Sequence, residues 1–86
     1  MDTAGLDERR AARTRVGSLA VLSQSDSPDV EAAIARAMRE ATDNDWVDVR
    51  LALLHVQILF FQVRDPARAA PLIETLLAEA RRAGLR

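Results

Sequence analysis

Cysteine and lysine are both absent from this chain of 86 residues, and histidine occurs once. Without cysteine there is no disulfide framework, no thiolate zinc site and no thiol chemistry. With one histidine, general-base catalysis has a single plausible side chain to work with. Charge of one sign is lacking too. Twelve basic and 13 acidic residues leave a net charge of −1, so no global field draws the chain to nucleic acid or anionic lipid. Every basic residue is arginine. Arginine suits phosphate or carboxylate recognition, but the plainer reading is the coding bias of a GC-rich bacterial genome. The segment Met1 to Arg15 is charged throughout, so no secretory leader is expected and a cytoplasmic location follows by default.

What is present is an ordinary globular composition, 49% hydrophobic and 29% charged, in a chain long enough for one small domain. Its centre is the stretch Trp46 to Val63, WVDVRLALLHVQILFFQV. From Leu51 onward its polar residues are His55, Gln57 and Gln62, and the apolar ones point in nearly every direction around a helical wheel. Strands rarely exceed about ten residues, and Leu, Ala, Gln and Arg are good helix formers, so the stretch reads as a helix. A membrane span needs roughly 20 apolar residues, whereas Asp48, Arg50 and Arg64 close in on a core of thirteen, Leu51 to Val63.

The flanks supply three further helices. From Leu6 to Gln24 one face carries Ala12, Val16, Leu19, Ala20 and Ser23, with Asp2 or Thr3 as cap and a fraying first turn. Ser27-Pro28-Asp29 is a helix start, with Ser27 as N-cap and Pro28 in the first turn. Val30, Ile34, Ala37, Met38 and Ala41 then form a thin apolar stripe. Asp43 or Asn44 is placed to cap the central helix, and a calcium reading of Asp43, Asn44, Asp45 and Asp48 lacks the required Gly and bidentate Glu. Asp65-Pro66 opens the last helix, whose stripe is Ala69, Leu72, Ile73, Leu76, Leu77, Ala80 and Ala83. Gly84 is placed to end it, with Leu85 folding back as in a Schellman cap. Pro71 is expected to kink this helix or delay its start, because it removes the hydrogen bond to the Ala67 carbonyl.

The candidate chemistry is sparse. His55 lies seven residues from both Asp48 and Gln62, a polar seam rather than a triad, and reads as a residue at the core's edge. Arg9, Arg10, Arg13 and Arg15 form a basic cluster without aromatics, beside Asp2, Asp7 and Glu8, and read as a solvated helix face. A helix-turn-helix over Val30 to Val63 would make the most apolar helix the reading helix, which base readout does not permit. Arg36–Glu40 and Arg64–Arg68 read as surface pairs. No catalytic, cofactor or metal residue is expected, and no membrane or small-molecule partner.

The segment Leu53 to Gly84 resembles one tetratricopeptide-type helix pair, of the divergent sort found in bacterial regulators. Leu53 and Val56 stand at the large apolar positions, Phe60 at the aromatic and Asp65-Pro66 at the turn. Ala69 stands at the small position of the second helix, followed by Ile73, Leu76 and Leu77. Gln57, Arg64 and Pro71 depart from the pattern. The resemblance implies helical hairpins, protein or peptide binding, and no enzymatic activity.

The sequence therefore predicts an all-α, small antiparallel bundle of helices at about 6–24, 28–42, 45–64 and 66–83, forming one domain. Its expected function is a non-catalytic interaction module or small regulatory adaptor. The alternative is a small helical DNA-binding regulator using the arginine-rich N-terminal helix. The outer helices are thin cladding for the central one, so the expected partner-binding residues are Leu51, Leu54, Ile58, Phe60 and Phe61. One phenylalanine is expected in the core and the other at the interface. The expected partner is a second copy, forming a homodimer, or a heterologous helix.

Overall fold

A computed structural model describes residues 4–24 and 29–84. They form α1 (Ala4–Leu22), α2 (Asp29–Asp43), α3 (Val47–Gln62) and α4 (Pro66–Arg82), an all-α bundle with no strand among the described residues. The capping roles expected of Asp2 or Thr3, Ser27-Pro28 and Leu85 fall outside those residues. Among the described residues no helix is long and apolar enough to cross a membrane.

α3 is the hub: it packs against α1, α2 and α4, while α1 and α2 also pack on each other. That order follows from the apolar periodicity. Ala12 and Leu19 of α1, and Val30, Ile34 and Ala41 of α2, are buried, with Val16, Ala20, Ala37 and Met38 partly buried beside them. α3 meets these with Val49, Leu53, Val56 and Phe60, and Leu53 is fully buried. Burying a residue of that size contributes about 1.5–3 kcal/mol. α4 lies at the edge. Among the described residues it packs on α3 alone, apart from a surface ion pair of Arg68 with Glu31 of α2 at 3.3 Å. The result is flat, 44 × 29 × 18 Å.

The turn between α2 and α3 corrects the expected cap. Neither Asp43 nor Asn44 caps α3, whose N-cap is Trp46 without a side-chain hydrogen bond. The turn instead finishes α2. The Trp46 N–H donates to the Ala41 carbonyl (2.9 Å) and that of Asp45 to Thr42 (3.2 Å), while Asn44 Nδ2 donates to Glu40 (2.8 Å). This is a Schellman closure with Asp45 in the left-handed position, at φ 56°, where glycine is the usual occupant. Its apolar contact comes from Trp46, which is buried near Ala41. Gly84 takes the same left-handed conformation at φ 79° just after α4, as the sequence predicts.

Pro71 neither breaks nor delays α4, which runs unbroken from Pro66 to Arg82. The reason lies in its position near the helix start. The carbonyl it leaves without a donor belongs to Ala67, and both residues are exposed, so water can take the missing bond.

Candidate interaction surface

The five residues expected to meet a partner do not form an open face. Leu54, Phe60 and Phe61 are 2%, 6% and 6% exposed, and Leu51 and Ile58 are half-buried. The expectation of one inward and one outward phenylalanine fails for a geometric reason. Adjacent helical residues point about 100° apart, and a helix covered on three sides shelters both directions. The two rings meet edge to face, with centroids 5.0 Å apart. Each carries a guanidinium on its face, Arg64 at 4.2 Å from the Phe60 centroid and Arg68 at 4.1 Å from that of Phe61. Arg64 Nη1 also donates to the Phe60 carbonyl at 2.9 Å. These arginines complete the cladding of α3. Their spacing, four residues after Phe60 and seven after Phe61, was the signal for it, and a reading as like-charged surface neighbours overlooks it.

The polar residues sort in the same way. Asp48, His55 and Gln62 do lie along one side of α3, joined there by the exposed Leu59. His55 is exposed and has no hydrogen bond or ion pair among the described residues, so it is not joined to Asp48 or Gln62. Asp48 is engaged elsewhere: Arg9 donates to Oδ1 through Nε (3.1 Å) and Nη2, and Arg13 Nε lies 3.5 Å from Oδ2. Desolvation pushes the Asp48 carboxyl up, but the Arg9 hydrogen bond, the Val49 N–H and the two guanidinium charges outweigh it and hold its pKa low. Arg15 pairs with Glu40 at 3.5 Å. Three of the four arginines in the N-terminal cluster thus have carboxylate partners within the chain.

At one end, α2, α3 and α4 enclose a cleft of about 350 Å³ lined by Thr42, Trp46, Arg50, Leu51, Glu79 and Arg82, among others. Arg50 bridges it, donating through Nε to Glu79 Oε1 and through Nη1 to Thr42 Oγ1. Arg82 approaches the same Glu79 oxygen at 3.8 Å. Glu79 Oε2 is buried with no hydrogen-bond partner. The arrangement fastens the end of α4 to α3.

Open apolar surface lies elsewhere, at helix ends and on α4. Val21 and Leu22 at the end of α1, and Leu59 and Val63 at the end of α3, are exposed. On α4 the inward row is Ala69, Leu72 and Leu76, with Ala69 buried and the two leucines half-buried. Ile73 and Leu77, expected on the same docking stripe, are 45% and 51% exposed. α4 is therefore apolar over an arc wider than α3 can cover. No family model, curated protein or solved structure matches the chain.

Proposed function

We propose that this chain is a non-catalytic protein–protein interaction module, a small regulator or adaptor, whose partner meets α4. The observation that carries this reading is the second apolar row of α4, with Ile73 and Leu77 roughly half exposed on a helix that has a neighbour on one side only. Such a row along one helix face is a usual mark of a helix-on-helix contact. The packing order agrees with it: α3 touches both helices of the preceding pair and then α4, the order expected of stacked helical hairpins such as tetratricopeptide repeats. A chain with no cysteine has no disulfide to lose in a reducing compartment, which fits a cytoplasmic place of action.

The test is a photo-crosslinking amino acid at position 77 of the full chain, compared with the same group at exposed Thr75. The module reading expects protein adducts from position 77 in cells and few from position 75. Equal and low yields from both positions would refute it.

A further inference from the structure

The outer row of α4 is built to meet a copy of itself. Its exposed or half-buried members, Ala70, Ile73, Leu77 and Ala80, follow the alternating three- and four-residue spacing of a coiled-coil seam. On one flank the seam borders Ala69 and Leu76, which belong to the side facing α3. On the other flank stand Glu74 and Arg81, both exposed and without ion-pair partners among the described residues.

Charge order then selects the orientation. In a parallel pair each flank faces the opposite flank of the other helix, so Glu74 and Arg81 would meet alanine and leucine. In an antiparallel pair like flanks meet. If Ile73 packs on Leu77 of a second copy, Ala70 falls opposite Ala80, and Glu74 falls opposite Arg81 twice over by symmetry. The same register brings the two Leu76 side chains together near the axis, covering the area that α3 leaves half open. We propose that α4 is a self-association site, in which two copies pair their α4 helices antiparallel about a two-fold axis. The contact is isologous, so one short stretch supplies both halves. This rests on the module reading above and names the partner as a second copy of this chain.

The experiment is sedimentation equilibrium on the full chain, with circular dichroism on each variant. The wild type should sediment as a dimer, and Leu77→Glu as a helical monomer, because an exposed leucine can be replaced without opening the core. Glu74→Arg alone and Arg81→Glu alone should each raise the dimer dissociation constant about ten-fold or more, equivalent to about 1.4 kcal/mol, by setting like charges opposite each other. An equimolar mixture of those two variants should recover wild-type affinity, because every flanking pair in the mixed dimer is again opposite in sign. These surface charge variants keep the proposal testable even if Leu77→Glu fails to fold. A dimer indifferent to the charge reversals, or a mixture that does not recover, overturns the antiparallel seam. A monomeric wild type also overturns it, but if the position-77 crosslinker then captures a different protein, the module reading survives with a heterologous helix on this row.

Discussion

Asp45 holds the turn between α2 and α3 in a conformation that L residues adopt reluctantly. At φ 56° it stands where a Schellman closure favours glycine. Asp45→Gly should therefore stabilise the fold by about 0.5–1 kcal/mol, seen as a rise of a few degrees in thermal melts. Asp45→Val should act in the opposite direction. Asp48, three residues on, gives a pH signature. Its lowered pKa means that the folded state favours the carboxylate. The contribution is present above the ordinary value of 3.8 and disappears as the pH falls through the lower folded value. The side chain is 37% exposed, so the effect is small, under about 1 kcal/mol. Asp48→Asn should lower the melting temperature slightly at pH 7 and leave it unchanged near pH 2. An equal loss at both pH values would assign the effect to packing instead. Phe60→Asp and Phe61→Asp, by contrast, should both unfold the chain, since both rings are buried.

At the scale of elements, α4 is the helix held by the fewest neighbours. Leu76 is half-buried against α3, so Leu76→Ala should destabilise by about 1–2 kcal/mol, below the 2–5 typical of fully buried leucines. A chemical-denaturation series settles the figure, and a loss above about 3 kcal/mol would mean deeper burial than this packing gives. α4 also shows what the sequence makes legible. Helix positions and the inward faces of α1 and α2 follow from apolar periodicity, because each carries one narrow apolar stripe, whereas the wider stripe of α4 does not declare that Ile73 and Leu77 stay exposed. The hub helix declares nothing, since apolar residues on most of its circumference fit three covered sides as well as one covered side and one interface. The outcome depends on cladding that periodicity does not display: Arg64 and Arg68 lying flat on Phe60 and Phe61. The effect of Pro71 is not legible in the sequence for a related reason. Its effect depends on whether water reaches the Ala67 carbonyl, which exposure in the fold decides.

Across the whole molecule the contacts have a star pattern, with α3 at its centre and the core one layer deep across an 18 Å thickness. Removing α3 would leave α4 with nothing to pack on, while detaching α4 would leave α1, α2 and α3 in mutual contact. Opening events should therefore be ordered. In native-state hydrogen exchange, α4 amides should be released by a partial opening that spares the other three helices. Amides in the middle of α3, around Leu53 and Leu54, should exchange only when the whole chain unfolds. Their protection then reports the global stability, and the gap between the α3 and α4 plateaus gives the strength with which the edge helix is held.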